Sequence, residues 1–379
     1  MPRIKTVITN YDLITAYGIG VQPLWEGILS GKSRVKKLNR FPTSACLCHN
    51  AATIPTLNLQ KQDSLVMQML KIILTKNLTI IPKDAKLILA TTVGEIDLLE
   101  KAIIKKTNGS KKSSLTNLLK KVQHLTKITD KGMLISCACA SSSTAIAEAA
   151  RIIENGQSDC VLIVAADAVS EFVFSGFSAL MALDKDPAKP FDKNRRGLSL
   201  GEAAGFIILM SQARAKKEKR AALAQVSGWG LSGDANHMTG PARNGEGLTC
   251  AIKCALKKAS VSADQIGAIS SHGTGTLYND AMELIAFKNI FKNKTIVPVY
   301  SIKGATGHTL GAAGLIETVL ALKVGLEKII PPTVGLKETD PQAAGWVSLL
   351  KRKLKQPTIM LNNCGFGGIN AVLILKTFN

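Results

Sequence analysis

A cysteine stands where an apolar run gives way to a helix-forming stretch. The apolar run begins at Met133, Cys139 follows it, and the small residues from Ala140 onward predict a helix that ends before Asn155-Gly156. A thiol at the start of a helix meets partial positive charge, which favours the thiolate. We expect Cys139 to form a thioester with an acyl group. A buried free cysteine is more often only a core residue, and Cys137 is a rival nearby.

Two histidines lie in Gly/Thr-rich loops that follow predicted strands. They are His272 and His308, in a chain that has only five histidines. Loops at the carboxyl ends of strands gather around ligands in α/β sheets. Neutral imidazoles in such loops could donate N–H bonds to a developing oxyanion or enolate. Lys303 stands among small apolar residues, so its charge would need a buried partner, for which Glu317 is the candidate.

A glycine-rich stretch near the end of the chain could complete an oxyanion hole. It reads Cys364-Gly365-Phe366-Gly367-Gly368 and follows an apolar run that starts at Ile359. Glycines expose backbone N–H groups, and one of these could bind an oxyanion. A phenylalanine between glycines is also a candidate gate. A tight turn between two strands explains the glycines equally well.

The elements that position these residues alternate between strand and helix in both halves of the chain. The continuous apolar run Cys160–Ala166 is typical of a strand that is covered on both faces. The same alternation recurs after the charged run Arg214–Arg220, which predicts an α/β layered fold with covered sheets. We place the boundary at that run, with the cysteine in residues 1–213 and the histidine loops in residues 214–379. A solvated helix face is the plainer interpretation of the run.

Composition narrows the class of protein. The chain has 379 residues and a net charge of +21, and only 4% of its residues are aromatic. Few aromatics argue against a single-stranded nucleic-acid groove. The charge could reflect an acidic partner, nucleic acid, an anionic membrane surface or a lysine-rich background. The basic clusters are scattered over the sequence: Lys105-Lys106, Lys111-Lys112, Lys120-Lys121, Arg214–Arg220 and Lys351–Lys355.

The cysteines and the apolar runs predict a cytoplasmic protein. The chain start does not resemble a signal peptide, and no apolar stretch reaches the roughly 18 residues of a membrane span. The eight cysteines are therefore expected to be reduced thiols. Cys46-Leu47-Cys48-His49 lacks a second ligand pair at usable spacing, so no zinc site is expected.

Several of these motifs together resemble those of the β-ketoacyl-acyl-carrier-protein synthases, the elongating condensing enzymes with a thiolase-like fold. The agreement covers most of the chain and is strongest from Ile135 to the end. The matching stretches are Ser136–Ser141 around the nucleophile, Pro190–Arg195, Gly201–Gly205, Asp234–Thr239, the histidine loops His272–Thr276 and Lys303–His308, and Gly365–Asn370.

The resemblance implies a fold and a set of roles. The fold is a duplicated, five-layered αβαβα arrangement with two mixed sheets. Cys139 takes the acyl group, while His272 and His308 assist decarboxylation of a malonyl thioester. Lys303, paired with Glu317, orders the cluster. The backbone N–H groups of Cys139 and Phe366 form the oxyanion hole. The substrate is contacted by Thr274, Thr276, Gly365 and Gly367.

The resemblance also implies the partners. We expect an acyltransferase of fatty acid or related lipid or polyene biosynthesis, which forms a homodimer and receives substrates from acyl carrier protein. The phosphopantetheine arm comes with the carrier, so no cofactor or metal of its own is expected, nor an integral membrane segment. The alternative is a non-catalytic chain-length partner in a heterodimeric ketosynthase; such partners usually lack the cysteine. A basic nucleic-acid-binding protein is a more distant hypothesis, and we expect no nucleic acid as a partner.

Overall fold

The computed structural model describes residues 4–106, 113–292 and 296–378. Its strands are β1 (Thr6–Thr15), β2 (Gly18–Ile19), β3 (Lys36–Lys37), β4 (Asn50–Ala52), β5 (Lys86–Ala90), β6 (Met133–Ile135), β7 (Cys160–Asp167), β8 (Leu200–Gly201), β9 (Ala203–Ser211), β10 (Ala224–Gly233), β11 (Ile266–Ser270), β12 (Val299–Tyr300), β13 (Ile329–Ile330), β14 (Arg352–Lys353), β15 (Thr358–Gly365) and β16 (Ile369–Thr377). Its helices are α1 (Val21–Leu29), α2 (Leu65–Thr75), α3 (Ile96–Ile104), α4 (Leu115–Thr126), α5 (Ser141–Glu154), α6 (Glu171–Ala179), α7 (Gln212–Lys217), α8 (Glu246–Ala259), α9 (Leu277–Phe291), α10 (Lys303–Thr306) and α11 (Ala313–Glu327).

The two halves of the chain build the same mixed sheet. In the first half the strand order is β1-β9-β7-β5-β6, with antiparallel pairing at β1–β9 and β9–β7 and parallel pairing at β7–β5 and β5–β6. In the second half the order is β10-β16-β15-β11-β12, and the pairings are again two antiparallel and then two parallel. The same strand order and direction in each half confirm the expected duplication.

The two sheets are joined edge to edge. Strand β1 pairs with β10 at Val7↔Gln225 and Ile8↔Ala224, so the predicted pair of sheets is one continuous eleven-stranded sheet with β2 at its side. Helices α5 and α11 contact strands of both halves, and their apolar side chains form the core between the halves. The continuous sheet therefore folds back on itself around these two helices.

The outer faces are covered by separate sets of helices. Helices α2, α4 and α7 pack beside the first half, and α8 and α9 beside the second. Strand β7 is buried along its whole length, as its unbroken apolar run predicts. The layers are thus helix, sheet, helix, sheet, helix, which confirms the five-layered thiolase-like fold.

The sequence pattern missed two helices and left the domain boundary untested. Helices α3 and α6 were not predicted; Phe177 of α6 lines the cavity described below, and α3 packs against α6. Helix α7 takes up the start of the charged run, and the Arg214 guanidinium there forms ion pairs with Asp84, Asp159 and Glu218. The boundary near residue 214 stays a prediction, and Lys111-Lys112 lies outside the described residues.

Candidate active site

Cys139 lies in a tight elbow between β6 and α5. Ala138 has φ of 48° in the left-handed region, which a residue with a side chain adopts at a cost. The Ser141 hydroxyl holds the elbow together because it accepts from the Cys137 N–H at 2.9 Å and donates to the Ala138 carbonyl at 2.5 Å. Cys139 is buried, with 6% of its surface exposed, whereas Cys137 is half-buried.

The structure brings the two predicted histidines to this cysteine. The Sγ atom of Cys139 and one nitrogen from each of His272 and His308 lie within 4.8 Å of one another. The two rings are nearly perpendicular, with an interplanar angle of 86° and centroids 5.1 Å apart. Among the described residues, no group hydrogen-bonds to either ring nitrogen of His308 or to Nδ1 of His272, although these atoms are buried. They are therefore available to a substrate oxygen.

Burial decides the protonation of the three groups. It lowers the pKa of His272 and of His308 well below 6.5, and the nearby Lys303 ammonium lowers both further. Burial also raises the pKa of the Cys139 thiol to about 11, while Lys303 and the Phe366 N–H act in the opposite direction. The helix start is expected to favour the thiolate of Cys139, and burial acts in the opposite direction on the pKa of the thiol.

Lys303 and Glu317 form the predicted buried pair. Their Nζ and Oε1 atoms are 2.5 Å apart, and each side chain is 2% exposed. Glu317 also accepts from the Asn363 side-chain amide at 2.7 Å, and the Ser143 hydroxyl of α5 donates to the Asn363 side-chain oxygen. The pair is thus linked through hydrogen bonds to the helix that follows the nucleophile. A Cβ atom on Gly314 would collide with Ser143, so α11 approaches α5 closely only with a glycine there.

Two buried carboxylates of α9, which sequence reasoning missed as site residues, hold the His272 loop. Glu283 accepts from the backbone N–H groups of His272 and Gly273, both at 2.7 Å. Asp280 accepts from the N–H groups of Thr274 at 3.1 Å and of Gly275 at 3.2 Å. Burial is the main reason that the pKa of Glu283 rises to about 7. The available signal was two acids at one helical spacing directly after the His272 loop.

Most of the predicted substrate-contacting residues line one cavity of about 900 Å³. Cys139, His272 and His308 lie on its wall together with Thr274, Thr276, Gly365 and Phe366. The hydroxyl oxygens of the two threonines are 2.9 Å apart.

The neighbouring residues Phe366 and Gly367 make different contacts. The Phe366 ring stacks on Phe177 of α6 with centroids 5.5 Å apart. Gly367 has φ of 85°, and its N–H donates to the Met238 carbonyl at 2.7 Å. Gly367 therefore ties its loop to the neighbouring segment, while Phe366 faces the cavity. Lys303 and Glu317 lie behind the cavity wall.

Comparison with known proteins agrees with this geometry. Residues 122–215 match the model of the beta-ketoacyl synthase N-terminal domain, and residues 223–337 match that of the C-terminal domain. The chain is 31% identical to 3-oxoacyl-[acyl-carrier-protein] synthase 2 of Coxiella burnetii, over 99% of each chain. It is 29% identical to the protein of the same name in Vibrio cholerae, over 99% of this chain and 100% of that one.

Solved structures share the fold over the full length. The ishigamide ketosynthase/chain length factor superposes with a TM-score of 0.91 and 27% identity, covering 100% of both chains. A beta-ketoacyl synthase from Burkholderia phymatum superposes with a TM-score of 0.88 and 25% identity, over 99% of this chain and 100% of that one. This chain therefore belongs to the beta-ketoacyl synthase family.

Proposed function

We propose that the protein is a 3-oxoacyl-acyl-carrier-protein synthase, an acyltransferase that condenses an acyl group on Cys139 with a malonyl group held by carrier protein. The observation that carries the proposal is the buried cluster of Cys139, His272 and His308, whose donor atoms lie within 4.8 Å of one another. The proposed reaction belongs to the biosynthesis of lipids or polyenes.

In the first step, Cys139 takes the acyl group from its thioester. Because the resting thiol is protonated, one of the neutral imidazoles must accept its proton as Sγ attacks the carbonyl carbon. The thiolate of the departing phosphopantetheine arm then takes a proton. The N–H groups of Cys139 and Phe366 are the proposed donors to the oxyanion; both already act on Sγ, where they favour its negative charge.

In the second step, the malonyl thioester loses CO2 and leaves a carbanion, stabilised as an enolate. The unpartnered nitrogens of His272 and His308 are the proposed donors to the enolate oxygen. One such donor typically contributes about 2.7–4 kcal/mol to the transition state. Burial, and after it the Lys303 charge, lowers the pKa of both rings, so they are neutral, donate hydrogen bonds and do not protonate the carbanion. The carbanion then attacks the carbonyl carbon of the Cys139 thioester and forms the 3-oxoacyl product. The C–S bond breaks, and the released Cys139 thiolate takes a proton from solvent to restore the resting thiol.

The carrier protein is proposed to dock at the cavity mouth. Thr274 and Thr276 line the cavity and are the proposed partners of the phosphopantetheine arm. Arg196 and Arg243 line the mouth and are exposed, and Arg243 stacks on the Tyr278 ring 4.6 Å from its centroid. Two arginines at the entrance suit an acidic carrier protein, because opposite charges steer association.

A second copy of the chain is the proposed partner at the β6 edge. Among the described residues β6 is the last strand of its sheet, and one side of it pairs with no other described strand. Large apolar side chains are exposed on β6, α3 and α6: Met133 is 41% exposed, Ile103 67% and Phe172 59%. Helices α3 and α6 contact each other. Light scattering that gives a monomer would contradict the homodimer, and co-purification of a different similar chain would reopen the heterodimer.

The decisive experiment is condensation in solution. The protein is incubated with acyl- and malonyl-acyl-carrier protein, and products are identified by mass spectrometry. We expect CO2 and a 3-oxoacyl product from the wild type, with loss of condensation by at least about a thousandfold in Cys139→Ala. The matched control is Cys137→Ala, two residues away, which is expected to condense normally. Absence of product from folded wild type, or full activity in Cys139→Ala, would contradict the proposal. A cytoplasmic location stays a prediction.

A further inference from the structure

A small two-stranded ribbon, whose strands are joined by residues 331–351, presents an unusual surface at the far end of the second half. Strands β13 and β14 pair antiparallel at Ile329↔Lys353 and Ile330↔Arg352, and the Leu354 N–H donates to the Lys328 carbonyl at 2.9 Å. We call Lys328–Ile330 together with Leu349–Lys355 the basic hairpin. It includes the last of the basic clusters in the sequence and has no part in the proposed reaction.

Exposed and inward-facing side chains alternate along residues 351–355 of the basic hairpin. Lys351, Lys353 and Lys355 are exposed, whereas Leu354 between two of them is buried. Arg352 also points inward, where its guanidinium donates to the carbonyls of residues 345, 346 and 347. Successive residues of an extended chain face opposite sides. One face therefore anchors the hairpin, and the other carries three lysines.

Two leucines lie directly before the lysines. Leu349 is 51% exposed and Leu350 is 75% exposed. Leu326, in the last turn of α11 shortly before the hairpin, is 64% exposed. Single exposed leucines are ordinary, but adjacent ones next to a row of lysines form an amphipathic surface. Such a surface suits a partner that has a negatively charged surface with an apolar layer beneath it.

Negative charge is scarce in this part of the chain. After Asp340 the sequence contains no Asp or Glu. Glu327 is the acid next to the hairpin in sequence, and its carboxylate pairs with Lys323. The ion pairs of the described residues include none formed by Lys328, Lys351, Lys353 or Lys355. The local excess of positive charge is therefore free to attract an anionic surface.

The hairpin also lies far from the cavity. Its last residues lead into β15 at Thr358, and the other end of that strand, Gly365, lies against the Cys139 elbow. Eight strand residues separate the two ends by roughly 25 Å. A surface bound to the hairpin would leave the cavity mouth open to a carrier protein.

We propose that the basic hairpin docks the protein on an anionic bilayer, with Leu349 and Leu350 entering the headgroup region and the three lysines contacting lipid phosphates. Among the described residues no helix is both long and apolar enough to cross a bilayer, so the attachment would be peripheral. Peripheral attachment to an anionic bilayer requires a combination of apolar side chains and lysines.

Vesicle sedimentation tests the proposal with the full chain. We expect binding to vesicles of phosphatidylglycerol and phosphatidylcholine, little binding to phosphatidylcholine alone, and weakening as salt increases. The triple variant Lys351→Gln/Lys353→Gln/Lys355→Gln should bind about 100-fold more weakly, because each lysine near an anionic bilayer contributes about a factor of five. Leu350→Ser should bind several-fold more weakly at any salt concentration, since it loses apolar burial.

Matched controls separate the hairpin from the general charge of the protein. Lys216→Gln/Lys217→Gln/Lys253→Gln removes the same charge from exposed sites elsewhere, and Leu47→Ser alters a leucine that is 66% exposed. Both controls should bind as the wild type does. Equal losses in control and hairpin variants, no vesicle binding by the wild type, or capture by nucleic acid in competition with vesicles would overturn the proposal. Condensation activity in solution should be unchanged in all variants, so this test is independent of the proposed function.

Discussion

The equivalent edge strands of the two halves lead into segments that carry different reactive groups. Strand β6 leads into the Cys139 elbow and then α5, while β12 leads into the segment with Lys303 and His308 and then α11. Both following helices lie in the middle layer, so the two loops meet across the duplication. One half supplies a nucleophile held by small residues, and the other supplies a buried charge and a hydrogen-bond donor.

The difference shows how a duplicated scaffold can divide a two-step reaction. In the proposed acyl transfer, the Cys139 thiol and the Cys139 N–H come from the first half, while the proton-accepting imidazole and the Phe366 N–H come from the second. In the proposed decarboxylation, both hydrogen-bond donors, His272 and His308, come from the second half. If the division holds, changes in the second half should affect decarboxylation more than acyl transfer.

The largest effect expected from the second half is that of His308→Ala. Loss of one donor to the enolate should slow malonyl decarboxylation by about 10²–10³-fold. Acylation of Cys139 should slow less, because the His272 imidazole remains to accept the thiol proton. Mass spectrometry of the acylated protein and release of labelled CO2 measure the two steps separately. Equal losses in both steps would break the proposed division between the halves.

The next effect concerns the buried pair behind the histidines. Lys303→Met leaves the Glu317 carboxylate buried without its cation, which typically costs about 3–5 kcal/mol of folding free energy. It also removes a positive charge that lowers the pKa of both imidazoles. The acid limb of the pH–rate profile for decarboxylation should therefore move to higher pH, since the rings become easier to protonate.

Chemical denaturation and the pH–rate profile check the two consequences of Lys303→Met. The double variant Lys303→Met/Glu317→Leu is the control for stability, because it removes both charges and should recover part of the loss. It should keep the shifted acid limb. An unshifted limb in both variants would show that Lys303 has no influence on the imidazoles.

The sequence could predict the strands and the reacting residues because their signals are local. The apolar run of β7 and the Gly/Thr-rich sequence around His272 each stand out within ten residues. Lys303 and Glu317 were paired because a charge among small apolar residues needs a partner. The resemblance to a known family then supplied the roles that no local pattern gives.

What the sequence could not predict depends on distances between segments. The β1–β10 junction involves only two residue pairs between distant parts of the chain, so no run of residues signals it. The role of Glu283 arises from two backbone N–H groups that its carboxylate meets only when α9 is packed. The burial that raises the pKa of the Cys139 thiol is likewise set by the whole fold, whereas the position of a residue at a helix start is local.

The protonation of the nucleophile in the first half is tested on the wild-type protein by alkylation. With a pKa of about 11, the thiolate fraction of Cys139 rises about tenfold for each pH unit below that value. The rate of alkylation by iodoacetamide, an uncharged reagent, should therefore keep rising from pH 7 to pH 10. Peptide mapping isolates Cys139 from the exposed Cys250, which serves as an internal reference. A plateau below pH 8 would mean that the elbow favours the thiolate despite its burial.

The smallest expected effect lies at the cavity mouth, outside both reacting clusters. Arg196→Gln removes one exposed charge from the proposed carrier-protein docking site, and an exposed charge pair contributes about 0.2–1 kcal/mol. The KM for malonyl-acyl-carrier protein should rise about two- to fivefold, with kcat unchanged, and the difference from wild type should vanish at high salt because exposed charges are screened. Lys217→Gln, which removes an exposed charge on α7 outside the cavity lining, is the control. A fall in kcat with KM unchanged would instead place Arg196 in the chemical step. The cavity mouth could then no longer be separated from the reacting cluster as a docking site alone.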